Sequence, residues 1–244
     1  MRDLWNTFLY EPLYNALIFL TGVVPFGDAG IALITLTFIV KLVLFPLSQK
    51  SIIAQMRLRA LEGEMSAIRE KHKNDKEAQA KATMALYQRE GVNPFSGCLP
   101  LLIQLPIVIA LYFVFYKGLS PTGGVLYTFV HYPEHLNTLF LGFFDISEKS
   151  LILALIAAAA QYFQTALTLP PQTPRKPGVE ASFAEELSKS MNMQMRYVLP
   201  FFVAFIAYTT SGAVALYWAA SSIFTIGQEL FVRARVQRAE VPKK

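Results

Sequence analysis

The chain has 244 residues, 54% of them hydrophobic and only 16% charged, with a formal net charge of +5. A soluble domain carries about 25% charged residues, so this composition excludes a disordered chain and weighs against an ordinary soluble enzyme. One cysteine, Cys98, excludes a disulfide scaffold and a cysteine-rich metal site.

Residues 1–28 contain a mixed segment, Leu4 to Val24, interrupted by Glu11 and Pro12. It reads as an amphipathic helix in the membrane interface, with Trp5, Tyr10 and Tyr14 at headgroup level. A crossing needs about 20 mostly apolar residues, and five stretches offer that. The first lies in 29–48, where Lys41 interrupts GIALITLTFIVKLVLFPLS. Residues 49–93 carry Leu58, Leu61, Met65 and Ile68, then Ala78, Ala82, Ala85 and Leu86, at helical spacing on either side of an Asn74-Asp75 turn signal. This pattern predicts a charged hairpin of two antiparallel helices; a solvated spacer without a partner would look similar. The second span lies in 94–118, followed by a mixed extracytoplasmic segment, 119–150. The third span is 151–169, and a proline-rich cytoplasmic connection follows in 170–192. The fourth and fifth, 193–210 and 213–232, form a tight helical hairpin ahead of a basic tail, 233–244.

Lysine and arginine set the orientation. Nine fall in 49–93, four in 170–196 and five in the tail, against three (Arg2, Lys117 and Lys149) on the other side. The positive-inside rule places the hairpin, the proline-rich connection and the C-terminus in the cytoplasm, and the N-terminus outside. The hairpin nets +3 and the tail +4, charge suited to anionic headgroups or ribosomal RNA. A weak, salt-sensitive ribosome contact is expected, with topology enforcement alone as the alternative.

Enzymatic chemistry finds no foothold. His72, His131 and His135 lie in connecting segments, and Asp3, Asp28, Asp75 and Asp145 lie outside the five spans. No phosphate loop, nucleophile motif or metal set is present, so neither an enzyme nor a cofactor is expected.

Polar residues inside the spans are the informative feature. Lysine at a helix centre costs ~2.5–3.5 kcal/mol on an insertion scale. Lys41 either snorkels to the interface or serves a function. Thr37, Lys41 and Ser48 share one expected face of the first span, and Gln104 lies on the second. Gln161, Gln164, Thr165 and Thr168 stripe the third span; Ser221, Ser222, Thr225 and Gln228 stripe the fifth. Most lie within ~7–15 Å of the cytoplasmic ends. Each stripe alone could be helix-packing glue. Their shared depth predicts a hydrophilic chamber open to the cytoplasm and sealed outside.

Three stretches carry a family resemblance: TFIVKLVLFPLS in the first span, MALYQREGVNPFSGCLPLLIQLPI from Met84 to Ile107, and SGAVALYW from Ser211 to Trp218. Together they resemble the YidC/Oxa/Alb family of membrane protein insertases. The resemblance implies an all-α polytopic membrane protein with five transmembrane helices around a cytoplasm-open hydrophilic groove, a cytoplasmic helical hairpin and an N-terminal interfacial helix. It implies a positive residue on the first core helix, which maps to Lys41, where the family usually has arginine. Thr37, Gln104, Tyr217 and Trp218 map to groove or substrate-contacting positions. The expected groove set is therefore Lys41, Thr37, Gln104, Gln161, Gln164, Tyr217, Trp218, Ser221, Ser222 and Thr225.

The large extracytoplasmic domain of many Gram-negative members is absent from the sequence, as is a lipoprotein cysteine before the first span, so a compact bacterial form in the plasma membrane is expected. The implied activity is integration and folding of small membrane proteins with short translocated tails, without ATP hydrolysis. Nascent membrane proteins and the lipid bilayer are the implied partners; a Sec-type translocon and a weakly held ribosome are further ones to test. A small secondary transporter or a structural scaffold are the rival classes, although neither an inverted repeat nor matching broken helices support the transporter.

Overall fold

A computed structural model describes residues 2–73, 75–93, 99–117, 119, 124–169, 190 and 192–240. The fold is almost entirely helical. At the N-terminus α1 (Arg2–Trp5), a π-helical turn (Asn6–Tyr10) and α2 (Glu11–Val23) run on without a break. Leu13, Tyr14, Leu17, Ile18 and Thr21 recur on one face of α2 and are buried against α3 (Ala29–Val43) and α7 (Leu99–Tyr116). The outward face carries Leu4, Phe8, Phe19 and Val23. Apolar side chains thus occupy both faces, a less amphipathic division than the sequence reading anticipates for 1–28.

Buried Asn15 explains how the helix is fastened. Its Nδ2 donates to the Val125 carbonyl at 2.8 Å and its Oδ1 accepts from the Tyr127 N–H at 2.7 Å. One amide side chain therefore pairs with an extended loop much as a neighbouring strand would.

Asp28 organises the start of α3. Its Oδ1 accepts from the N–H groups of Gly30 (2.8 Å) and Ile31 (3.0 Å), an N-cap, while Oδ2 accepts from the Leu141 N–H at 2.9 Å. Leu141 belongs to the tight turn between β1 (Leu139–Phe140) and β2 (Phe144–Asp145), an antiparallel pair with Phe140 opposite Phe144. Gly30 is required here, because a Cβ would sit 2.4 Å from the Phe140 ring.

The first expected span, 29–48, ends early. α3 stops at Val43, and α4 (Phe45–Ala60) leaves at 65° to it. Pro46 lies in the first turn of α4, where it cannot donate to the carbonyl four residues back and its ring crowds that carbonyl. Ser48 accordingly sits beyond the bend and does not continue the face of Thr37 and Lys41.

α4 continues into α5 (Glu62–Lys71), and α6 (Lys76–Arg89) packs back on α5. The Asp75 side chain caps α6 by accepting from the Ala78 N–H at 2.9 Å. Asn74, the other half of the expected turn signal, lies outside the described residues. Leu61, Leu86 and Val92 form a small separate core, flanked by Leu58, Met65, Ile68 and Tyr87. Burial there raises the Tyr87 phenol above its ordinary value, and its hydroxyl meets Met65 Sδ at 3.0 Å.

The main core gathers α2, α3, α7, α8 (Leu151–Thr168), α9 (Leu199–Thr209) and α10 (Gly212–Glu240). α10 is its central element and packs on α8, α3, α4, α7 and α9. Its first N–H groups are taken by the loop after β2: Gly212 donates to Glu148 O and Ala213 to Ile146 O.

Among the described residues, α8 is the one helix long and apolar enough to cross a membrane unaided, and the bent α3–α4 pair qualifies if taken as a single span. The apolar part of α7, Leu102–Tyr116, is shorter. α9 has 11 residues, preceded by a π-helical turn, Gln194–Val198. α10 is long, but polar residues dilute its apolar run. Most of the proline-rich connection 170–192 and the last four residues of the tail lie outside the described residues.

Candidate functional site

The polar residues of α10 fall on two adjacent faces and meet two different neighbours. On the first, Lys41 from α3 donates its ammonium to Gln104 Oε1 on α7 at 3.1 Å and to Thr225 Oγ1 on α10 at 3.2 Å. Gln104 Nε2 donates to the Tyr217 hydroxyl and to Ser221 Oγ at 3.3 Å. Thr225 Oγ1 donates to the Ser221 carbonyl. Tyr217, Ser221 and Thr225 follow one another at four-residue spacing, so one ridge of α10 supplies three members. Five side chains from three helices form one network around a half-buried cation.

Lys41 lies about 18 Å along α3 from its first residue. Exposed apolar residues Phe38, Ile39, Leu42 and Val43 surround it on the same helix. The ammonium is turned inward among acceptors, a geometry that weakens simple snorkelling as its explanation.

The second group lies on the α8 side. Gln161 Oε1 accepts from Trp218 Nε1 at 2.9 Å and from Ser222 Oγ at 3.4 Å, while its Nε2 donates to Thr165 Oγ1 at 3.0 Å. Thr165 in turn donates to the Gln161 carbonyl at 2.8 Å. Gln161, Thr165 and Ser222 are buried. The amide spends its hydrogen-bonding capacity within the helix pair, which makes this group the stronger candidate for packing glue.

Two expected members stand apart. Thr37 is fully buried and donates to the Leu33 carbonyl at 2.7 Å, one turn back in its own helix. Gln164 is half-buried; its carbonyl shares the single Thr168 hydroxyl hydrogen with Glu229, and its side chain makes no hydrogen bond to the Gln161–Trp218 group.

A third polar cluster gathers Thr168 and Gln228, from the two expected stripes, with charged residues that the stripes do not include. At the end of α8, Arg233 donates to the Leu167 carbonyl (2.6 Å) and to Glu229 Oε1 (2.5 Å). Glu229 Oε2 accepts from Thr168 at 2.6 Å, and Arg59 of α4 reaches the same Leu167 carbonyl at 3.0 Å. Gln228 Nε2 donates to the Phe45 carbonyl at 3.2 Å, beside the bend. These bonds tie the base of the helical hairpin to α8 and α10. Glu229 and Arg233 at i, i+4 spacing were the available sign.

A cation and its neutral acceptors, held among apolar helices of an almost entirely helical chain, are the polar site of this fold. Residues 19–239 match the family described as 60Kd inner membrane protein, and the chain belongs to that family. It is 30% identical over 219 residues to a protein of Clostridium tetani (strain Massachusetts / E88) named membrane protein insertase YidC, covering 90% of this chain and 88% of that one. Proteins of the same name from Acidiphilium cryptum (strain JF-5) and Alcanivorax borkumensis (strain ATCC 700651 / DSM 11573 / NCIMB 13689 / SK2) are 32% and 28% identical, over 92% and 96% of this chain. The chain spans only 36% and 38% of those two relatives.

Proposed function

We propose that this chain is a non-enzymatic membrane protein insertase and chaperone. It integrates and helps fold small membrane proteins with short translocated tails, and it hydrolyses no ATP. The observation that carries this reading is the inward-turned Lys41 ammonium, held by Gln104 and Thr225 where three helices meet.

The working arrangement is five spans built on α3, α7, α8, α9 and α10, with α2 at the outer interface. The helical hairpin and the C-terminus are cytoplasmic and the N-terminus is outside. The Lys41 group opens towards the cytoplasmic end, marked by Arg59 and Arg233, and a polar client tail enters there. Each acceptor of Lys41 is neutral, so the ammonium remains available to an acidic tail. In a low-dielectric setting that attraction exceeds its value in water. The client's apolar segment then slides into lipid, where each leucine or isoleucine contributes ~0.3–0.6 kcal/mol. A membrane potential, positive outside, assists a negative tail by ~2.3 kcal/mol per charge per 100 mV.

The test is insertion of a small single-span protein with an acidic tail into proteoliposomes holding the purified chain and no nucleotide. Integration supports the proposal. Solute flux without integration favours a secondary transporter, and neither activity favours a scaffold. Cysteines at half-buried Gln104 and Thr225, with Cys98 replaced, should react with an impermeant thiol reagent from the cytoplasmic side alone.

A further inference from the structure

Phe26 and Leu141 adopt left-handed backbone conformations, with φ of 60° and 53°. Bulky residues rarely do so, because Cβ crowds the backbone there; glycine or asparagine is the ordinary occupant. Neither residue gains a buried contact in return. Phe26 is 90% exposed and Leu141 is 59% exposed. Phe143, two residues further on, is 83% exposed.

The two strained turns belong to one assembly. Gly27 O accepts from the Asn137 N–H, Ala29 N–H donates to Asn137 O, and Asp28 Oδ2 accepts from the Leu141 N–H. The chain thus holds three large apolar side chains outward at the start of α3, in turns where a water-facing surface would favour small polar residues. Phe19 and Val23 of α2, seven and three residues before Phe26 in the chain, are exposed as well.

We propose that Phe26, Leu141 and Phe143 form a wedge that enters the outer-leaflet lipid interface and fixes the depth of α3. The occupant is lipid rather than a protein partner, because Phe26 follows the exposed apolar residues Phe19 and Val23 within a few residues, in a chain of an inner membrane protein family. Asp28 links the wedge to the α3 N-terminus, so seating it holds Lys41 about 18 Å below the outer interface. Against a hydrocarbon core ~30 Å thick, the cation is then set nearer the inner side. The wedge rests on the topology proposed above, in which the start of α3 faces outward.

The experiment places cysteine at Phe26 or Phe143 in a Cys98→Ser background and labels it with bimane. The protein is reconstituted in phosphatidylethanolamine–phosphatidylglycerol vesicles, with or without chains brominated near the glycerol end. Brominated lipid should remove most of the emission at both positions, and aqueous iodide should leave it. A label at exposed Glu148, in the neighbouring loop, should respond the opposite way. Iodide quenching at Phe26→Cys and Phe143→Cys, or equal lipid quenching at Glu148→Cys, overturns the wedge. Retention of the unbrominated intensity in both lipid and iodide would indicate a protein partner and also overturns it. A separate Lys73→Cys variant, probed with an impermeant maleimide on vesicles of known sidedness, reports the topology. Its failure is therefore distinguishable from failure of the wedge.

Discussion

At the scale of single residues, Lys41 is the side chain whose chemistry decides most. Its acceptors Gln104 and Thr225 are neutral, so removing the ammonium leaves two hydrogen-bonding groups but no unpaired charge. Lys41→Ala should therefore fold yet lose insertion of clients with acidic tails, while Lys41→Arg keeps it, as client integration in proteoliposomes will show. Equal insertion by Lys41→Ala and the parent chain would leave the cation without a role. Phe26 makes the reverse kind of prediction. Its left-handed backbone costs roughly 1–2 kcal/mol, and its exposed ring has little contact to lose. In detergent, Phe26→Gly should raise stability by about 1 kcal/mol, read as an upward shift of the thermal midpoint. A drop in midpoint would show that the ring is packed after all.

At the scale of elements, the α3–α4 bend and the cluster at its foot determine where the helical hairpin points. Proline supplies the local cause of the bend. In Pro46→Ala the two helices should straighten, and spin labels at Ile31 and Arg57 should separate from ~33 Å towards the ~39 Å of a continuous helix. An unchanged distance would assign the bend to tertiary packing instead. The Glu229–Arg233 pair is the other constraint. Glu229 is almost wholly buried, whereas Arg233 keeps 23% of its side chain exposed. Arg233→Ala strands a buried carboxylate, and should cost roughly 2–3 kcal/mol, below the ~3–5 of a fully buried pair. Adding Glu229→Gln should recover most of the loss in thermal unfolding, because the stranded charge is gone. A double variant no more stable than Arg233→Ala would place the loss elsewhere.

Residues that stood out in the sequence did so by being polar in apolar surroundings. Lys41, Gln104, Gln161 and Ser221 were found on that ground, and the structure gathers them along α10. Pattern alone could not separate the Lys41 group from the Gln161 group, since helical spacing does not reveal which neighbour a face meets. The end of α3 was missed because the apolar run continues through Phe45–Leu47 while the backbone turns at Pro46. Asn15 was invisible for a different reason: its partners are backbone atoms more than a hundred residues away.

At the scale of the whole molecule, charge is segregated to the helical hairpin and the C-terminal segment. The resulting prediction is weak, salt-sensitive ribosome binding through the two together. Cosedimentation in detergent across a salt series checks it, since each phosphate contact steepens the loss of affinity with salt. Binding that is absent at low salt, or unchanged at high salt, would leave that charge with orientation as its sole task.

α10 also behaves as a shared axle. Tyr217, Ser221 and Thr225 mesh with α3 and α7, while Trp218 and Ser222, one step round the same helix, mesh with α8. A rotation of α10 as a rigid body would therefore disturb both sets of teeth at once, whereas a change of the Lys41 side chain alone touches only the first.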